Sequence, residues 1–184
     1  MSKEEEIKQA MKNIKKIDIL VNNAGIEYAG TIEETKVEEW DTTMNINLRG
    51  PYLMCKYALP LLKKSKGNII SIASILGISP YAAVPAYCVS KAALIMLIKC
   101  LAQDYETTKV RANAVLPGMT NTDLLSEAMT KSEIDISTKK VPMGRIGTPK
   151  EIANVVAFLA SDEASYVNGS TYVVDGGHLN LHLF

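Results

Sequence analysis

Short apolar runs alternate with longer stretches of helical periodicity along this chain, and that alternation constrains its fold more than any other feature. The runs are IDILV at 17–21, NIISIAS at 68–74, VRANAVLPG at 110–118 and TYVVDGG at 171–177. Each is short, rich in aliphatic residues and bounded by polar or turn-forming residues, which is typical of strands buried on both faces. Strands that alternate with helices form parallel sheets, with right-handed crossovers that leave helices on both faces. The sequence therefore predicts an α/β fold with about four parallel strands.

Length, charge and composition restrict the classes of protein. The 184 residues suffice for one domain with a substantial core, and no repeat, low-complexity tract or linker divides 1–184. The formal net charge is zero, which argues against a nucleic-acid partner because such proteins gather a basic surface. The longest strongly apolar stretch, 92–98, is too short to cross a bilayer and the first residues do not resemble a signal peptide, so no membrane partner is expected.

The cysteines and histidines do not suggest a redox or metal centre. Cys55, Cys88 and Cys100 form no C-x-x-C pair, which favours a reducing, cytoplasmic location. His178 and His182 have the i,i+4 spacing of a helical metal site, but no further ligand cluster accompanies them. We therefore expect no metal.

Two local patterns lead to further structural predictions. Thr35 and Glu38 have the spacing of a capping box and would open a long helical region. The polar stretch 119–147 has little periodicity, and we expect it to be mobile and poor in regular structure.

Tyr87 and Lys91 lie four residues apart in a stretch that is otherwise mostly apolar. On a helix they would stand on one face, where the ammonium favours the phenolate and lowers the phenol pKa from its reference value of about 10. A phenol tuned toward neutral pH could act as a general acid or base. The alternative is a surface pair whose polar ends reach solvent, and the spacing alone leaves both interpretations open.

Polar residues at strand ends could complete such a site. Ser74 lies 13 residues before Tyr87 at the end of the second predicted strand, where ligands of open α/β sheets bind. Its hydroxyl could hold a substrate oxygen beside Tyr87, although a strand-end serine is also a common loop hydrogen-bonding residue. Asn47 is an amide in a mostly apolar helical region, so it needs a solvent face or a specific purpose. Asn22 ends the first strand in an NNAG turn.

The order of the motifs NNAG, NINL, SIAS, YCVSK, LPG and VVDGG resembles the short-chain dehydrogenase/reductase family. The resemblance is to the bacterial-type subgroup of 3-oxoacyl-carrier-protein reductases and glucose dehydrogenases. It extends from about Ile7 to the VVDGG run, and 142–177 is similar to the family's C-terminal third throughout. It implies a Rossmann-like sheet, NAD or NADP as the cofactor, and a small alcohol or ketone as the substrate.

The resemblance also implies roles for individual residues. Tyr87 would be the general acid/base, and Ser74 would orient the substrate oxygen. Lys91 would lower the Tyr87 pKa and bind the nicotinamide ribose, and Asn47 would hold a water that relays protons. Six further residues would line or cover the cofactor crevice: Asn22, Ala24, Gly25, Pro117, Gly118 and Thr122.

The family's glycine-rich phosphate loop has no counterpart in the sequence, because neither G-x-G-x-x-G nor T-G-x-x-x-G-x-G occurs. In the family this turn binds the pyrophosphate at a helix N-terminus. The chain thus resembles the C-terminal three quarters of a family member. We expect impaired cofactor binding and a bare edge at the first strand, and we hypothesise that Met1 is an internal start of a longer gene product.

Two function classes stay open. One is an oxidoreductase that transfers hydride between a nicotinamide and an alcohol or ketone. The other is a non-catalytic derivative that acts as a binding or oligomerisation subunit. Under either we expect a homodimer or homotetramer, because the helical stretches 51–63 and 86–102 carry more apolar surface than one sheet can cover. The stretch 119–143 resembles the family's substrate lid, and the substrate itself is left open.

Overall fold

Four parallel strands form the central sheet in the computed structural model, which describes residues 3–179. The strands are β1 (Ile19–Asn22), β2 (Asn68–Ile72), β3 (Arg111–Pro117) and β4 (Thr171–Val174). Their order across the sheet is the same as their order along the chain. The predicted four-stranded parallel sheet is therefore confirmed.

Helices fill the connections between the strands. A π-helical turn at Asn45–Arg49 joins α2 to α3, so the two run on as one helical region, and a short 3₁₀ turn at Ile75–Gly77 follows β2. The α-helices of the described range are α1 (Glu4–Lys12), α2 (Val37–Met44), α3 (Gly50–Ser65), α4 (Pro85–Asp104), α5 (Asp123–Ala128), α6 (Lys131–Thr138) and α7 (Pro149–Ala160).

Different helices cover the two faces of the sheet. Ile69 and Ile70 are neighbours in β2, point to opposite faces and are both fully buried. Ile69 packs in a cluster with Leu62 of α3 and Leu94 of α4, whereas Ile70 packs with Leu159 of α7. The predicted arrangement with helices on both faces is therefore confirmed, and it explains why the strands read as apolar runs without alternation.

The long helix α4 lies across the core. Its 20 residues are long and apolar enough to cross a membrane by length and composition alone. In the fold, Leu94 and Ile98 are buried in the core on its sheet side, while Val89 and Met96 on its other side are 45% and 58% exposed. A core helix of an α/β sheet accounts for the composition, and one apolar face of it stays uncovered in the single chain.

The edge strand β1 is only partly covered. It pairs with β2 on one side, and no second neighbour occurs within residues 3–179. Leu20 is buried, but Ile19 and Val21 are 46% and 42% exposed. The expected bare edge with little helical cover is present in this chain.

The start of α2 differs from the prediction by one residue. Lys36 rather than Thr35 is the N-cap, and Glu39 rather than Glu38 accepts its N–H, at 3.3 Å. The Thr35 hydroxyl instead donates to the carbonyl of Thr31 at 2.7 Å. Thr35 therefore belongs to the preceding turn, which fixes the helix start one residue later.

The stretch 119–147 contains regular structure that the sequence did not predict. The helices α5 and α6 occupy its middle, and Thr130 and Glu133 form a capping box at the start of α6. Neither helix contains a buried residue. Hydrophobic periodicity could not predict these helices, because they contribute no buried side chain to the core. Their starts are instead determined by side-chain caps.

Candidate active site

The four side chains predicted as a catalytic set lie near the carboxyl end of the sheet. Asn47 is in the π-helical turn, Ser74 follows β2, and Tyr87 and Lys91 lie on the first two turns of α4. Their exposed fractions are 0%, 8%, 8% and 3%, respectively. The interpretation of Tyr87 and Lys91 as a solvated surface pair is therefore wrong.

Asn47 joins three parts of the site through its side-chain amide. Its Oδ1 accepts a hydrogen bond from the Ile26 N–H at 2.9 Å, and its Nδ2 donates to the Ile26 carbonyl at 2.8 Å. The Nδ2 also donates to Ser90 Oγ at 3.1 Å, so both amide hydrogens have acceptors. The side chain thus holds the segment that follows β1. These hydrogen bonds explain why a polar amide is buried in a mostly apolar helical region. A water-holding role for Asn47 stays a prediction.

Ser90 connects this amide to the turn of α4 that carries Tyr87. It is fully buried, accepts from Asn47 and donates its hydroxyl to the Tyr87 carbonyl at 2.8 Å. Sequence reasoning missed both Ser90 and Ile26. A signal for Ser90 existed, because it lies three residues after Tyr87 and therefore on the same helical face as Tyr87 and Lys91.

Lys91 is a buried cation with one fixed acceptor. Its Nζ donates to the Ile72 carbonyl at the end of β2 at 2.8 Å and lies 5.4 Å from the centre of the Tyr87 ring. Burial lowers the pKa of Lys91 to about 8, and the negative charge of Glu27 opposes that shift. An ammonium has three N–H donors, and Ile72 is the only hydrogen-bond acceptor of Lys91 Nζ among residues 3–179. Two donors therefore remain for a ligand.

The phenol of Tyr87 titrates in the direction opposite to the prediction. Burial raises the pKa of Tyr87 to about 12, a hydrogen bond from the Ser74 hydroxyl opposes the rise, and Glu27 adds to it. The predicted lowering by Lys91 is wrong for this chain, because the loss of phenolate hydration dominates and the Lys91 ammonium donates to a backbone carbonyl. Tyr87 is consequently protonated at neutral pH.

Ser74 has the local hydrogen-bonding role, and its role in holding a substrate oxygen stays a prediction. Its backbone is extended, and its Oγ accepts from the Leu76 N–H at 3.1 Å, which caps the short 3₁₀ turn. The same hydroxyl opposes the rise in the pKa of Tyr87, and both side chains are 8% exposed. Ser74, Tyr87 and Lys91 therefore share one buried environment.

Two glycines permit close backbone approach at the predicted cofactor crevice. A Cβ on Gly25 would lie 3.3 Å from Lys91 Nζ and 3.5 Å from Asn47 Oδ1, so the backbone of Gly25 and its neighbour Ala24 runs directly beside the site. A Cβ on Gly118, just after Pro117 ends β3, would lie 2.7 Å from the Cβ of Asp175. Small residues and unused ammonium donors at this edge fit the ribose and nicotinamide end of a dinucleotide.

Asn22 and Thr122 have side chains that are engaged elsewhere. The Nδ2 of Asn22 donates to Ser71 Oγ at 3.1 Å and to Cys55 Sγ at 3.5 Å, which ties β1 to β2 and α3. Thr122 is exposed and caps α5 by accepting from the Leu125 N–H at 3.4 Å. These side chains stabilise the fold, and their contact with a cofactor stays a prediction.

Glu27 is a further residue of the site that sequence reasoning missed. It is half-buried and follows the NNAGI turn directly. Burial raises the pKa of Glu27, and the charge of Lys91 opposes the rise. One feature of the sequence could have indicated Glu27: it is the only charged residue between Asp18 and Glu33.

The residues considered for metal or disulfide chemistry are dispersed. Cys55, Cys88 and Cys100 are all free thiols. Within residues 3–179 no group of three His, Cys, Asp or Glu side chains converges on a metal position, and His182 lies outside that range.

Comparison with known proteins agrees with this geometry. A family profile described as enoyl-(acyl carrier protein) reductase matches residues 2–178. The 3beta-hydroxysteroid dehydrogenase 1 of Eggerthella lenta is 40% identical over 171 residues, which cover 91% of this chain and 66% of that protein. The 3-oxoacyl-[acyl-carrier-protein] reductase FabG of Thermotoga maritima is 35% identical over 174 residues, which cover 94% and 70%. The chain belongs to the short-chain dehydrogenase/reductase family.

A solved structure of a similar enzyme has the same fold and contains NADP. The gluconate 5-dehydrogenase from Burkholderia cenocepacia, in complex with NADP and tartrate, has a TM-score of 0.92 and 29% identity. The alignment covers 97% of this chain and 72% of that one. Across the curated relatives of the short-chain dehydrogenase/reductase family, the matched part spans 66% to 74% of their length. The oxidoreductase class is thus common to these relatives, whereas their named substrates differ.

Replacing Lys91 by methionine tests whether a buried ammonium is present. The pKa of Lys91 is about 8 in the fold and 10.5 in its ordinary range, so between these values the unfolded chain binds more protons. As pH rises from about 8 to 10, the wild type should therefore gain stability relative to Lys91→Met, by on the order of 2 kcal/mol in the free energy of urea unfolding. The exposed-lysine control Lys64→Met should give no such trend. A pH-independent difference for Lys91→Met would contradict the buried ammonium.

Proposed function

We propose that this chain carries the proton-transfer centre of an NAD(P)-dependent short-chain alcohol dehydrogenase or ketoreductase. The observation that carries the proposal is the single buried environment shared by Ser74, Tyr87 and Lys91 at the carboxyl end of the sheet. Ligands of open parallel sheets bind at this edge, and perturbed pKa values that arise from burial in a polar cluster are typical of functional sites.

Ser74 and Tyr87 would bind the substrate oxygen between their hydroxyls. Since the pKa of Tyr87 is raised to about 12, its phenol is protonated at neutral pH, which is the state that donates a proton to a carbonyl oxygen. Reduction of a ketone then adds one hydride to carbon and one proton, from Tyr87, to oxygen. In the oxidation direction Tyr87 would accept that proton, which requires a lower phenol pKa than the chain alone provides.

Lys91 would hold the ribose of the nicotinamide cofactor through its two remaining N–H donors. Gly25 leaves room for that approach, because no side chain separates its backbone from Lys91 Nζ. When bound, the nicotinamide supplies or accepts the hydride, and the protein contributes binding, orientation and the proton. Asn47 would act as a positioning residue, since its amide fixes the segment beside Lys91.

A non-catalytic role is a second candidate, and two observations favour it. The sequence contains no glycine-rich phosphate loop, and the apolar edge of β1 is partly exposed. A chain with this sheet and these helices could act as a binding or oligomerisation subunit, because a fold does not by itself carry an activity.

Association and location complete the proposal. Tyr52 on α3 and Val89 and Met96 on α4 are large apolar side chains that are 45% to 58% exposed. Burying such faces against a second copy would form a homodimer or homotetramer. The three free cysteines are consistent with a cytoplasmic protein.

Tyr87→Phe is the direct test of the proposed chemistry. With millimolar NADH or NADPH and a panel of small ketones, we expect turnover to fall by about 10²–10⁴-fold, because the proton donor is removed while the ring still fills its place. Tyr166→Phe, a change at a fully exposed tyrosine, should retain wild-type turnover. Circular dichroism should give the same fold for all three proteins. If Tyr87→Phe turned over substrate at the wild-type rate, Tyr87 would not be the proton donor. If the wild type were inactive on every substrate, the non-catalytic role would be favoured.

Dinucleotide binding by this chain should be weak. The pyrophosphate lacks the glycine-rich helix N-terminus that normally binds it, so we expect a dissociation constant in the millimolar range by nicotinamide fluorescence. Lys91→Met should abolish the residual binding, and Lys64→Met should leave it unchanged. Micromolar binding of NADH or NADPH to this chain would contradict the expectation.

A further inference from the structure

Glu27 is an acidic side chain beside Lys91 and Tyr87, and none of the proposed proton-transfer steps uses it. Its backbone position is fixed, because the residue before it, Ile26, is held by Asn47 through both N–H and carbonyl. Two residues earlier, Gly25 lies against Lys91 Nζ. The segment 25–27 therefore passes directly beside the reacting groups, with Glu27 at its end.

The carboxylate of Glu27 is half-buried and has no hydrogen-bond or ion-pair partner among residues 3–179. The neighbouring cation does not satisfy it, since the Lys91 ammonium donates to the Ile72 carbonyl instead. The carboxylate nevertheless interacts electrostatically with both Lys91 and Tyr87. A partly desolvated carboxylate beside the reacting phenol can exchange a solvent donor for a hydroxyl of a bound ligand.

We propose that Glu27 is a specificity-determining residue whose carboxylate accepts a hydrogen bond from a second hydroxyl of the substrate. This inference rests on the proposed function and narrows its substrate class to neutral, polyhydroxylated alcohols and ketones. A hydroxyl near the reacting carbon supplies the donor that the protein lacks. A substrate that carried a carboxylate in place of this hydroxyl would be repelled by the Glu27 carboxylate, and neither carboxylate could donate a hydrogen bond to the other. The site should therefore discriminate against anionic substrates.

Three small probes with related skeletons separate these effects: butane-2,3-diol, butan-2-ol and 3-hydroxybutyrate. We expect the wild type to favour the diol over butan-2-ol by about tenfold or more in kcat/KM, which corresponds to about 1.4 kcal/mol. Glu27→Met should remove most of that preference, whereas Glu27→Gln, which keeps an acceptor, should retain part of it. Both variants should raise kcat/KM for 3-hydroxybutyrate by about tenfold, because the repulsion is gone.

The matched control is Glu33→Gln, which removes an equal charge from an exposed position of the same loop. It should leave the ranking of the probes unchanged. If Glu27→Met changes kcat/KM for all three probes by one common factor, or if Glu33→Gln shifts the ranking as much, the inference is overturned.

A binding measurement separates failure of this inference from failure of the proposed function. Ligand-detected NMR with the full chain reports binding of butane-2,3-diol and butan-2-ol without turnover. Stronger binding of the diol to the wild type, with the difference lost in Glu27→Met, supports the role of Glu27 even in a chain that turns nothing over. Equal binding of the two probes to the wild type overturns it, whatever the turnover.

Discussion

The paired hydrogen bonds between the Asn47 amide and the backbone of Ile26 hold the candidate site together. β1 is a four-residue edge strand, so it cannot by itself fix the segment that follows it. The amide fixes that segment and, through Ser90, ties it to the turn of α4 that carries Tyr87. Because Asn47 and Ser90 are fully buried, losing one of these bonds would leave polar groups unpaired at a cost of about 1–3 kcal/mol each. The course of the segment that carries Gly25 and Glu27 therefore depends on this one side chain.

Burial, more than mutual attraction, sets the charge state of the site. The pKa of Lys91 falls to about 8 and that of Tyr87 rises to about 12, so each group is shifted toward its neutral form. Attraction between an ammonium and a phenolate would shift both in the opposite direction. The fold thus keeps Tyr87 protonated at neutral pH, and the Lys91 ammonium donates to the Ile72 carbonyl.

The sequence predicted the fold well, because apolar runs report burial directly. The four strands and the long α4 followed from where aliphatic residues cluster, whereas the bare flank of β1 followed from the resemblance, because the family's preceding strand units have no counterpart in this sequence. The four side chains of the predicted catalytic set also converge, yet the pKa of Tyr87 was predicted in the wrong direction, since spacing gives proximity but not desolvation. The side chain of Asn22 points into the core and that of Thr122 caps a helix. Neither side-chain contact could be predicted from the position of the residue at a strand end or in a loop. Glu27 lay outside every motif, and only the three-dimensional course of the segment after β1 brings it to Lys91.

Tyr87 ionises only with difficulty, because it is buried with Ser74 and Lys91 in one environment. Ultraviolet difference titration of the wild type against Tyr87→Phe isolates the phenolate signal of this single residue. We expect no such signal below pH 10, and we expect it to emerge only as the pH approaches about 12 or the chain unfolds. A phenolate signal with a midpoint between pH 7 and 9 would instead mean that the Lys91 ammonium, and not burial, sets the pKa of Tyr87.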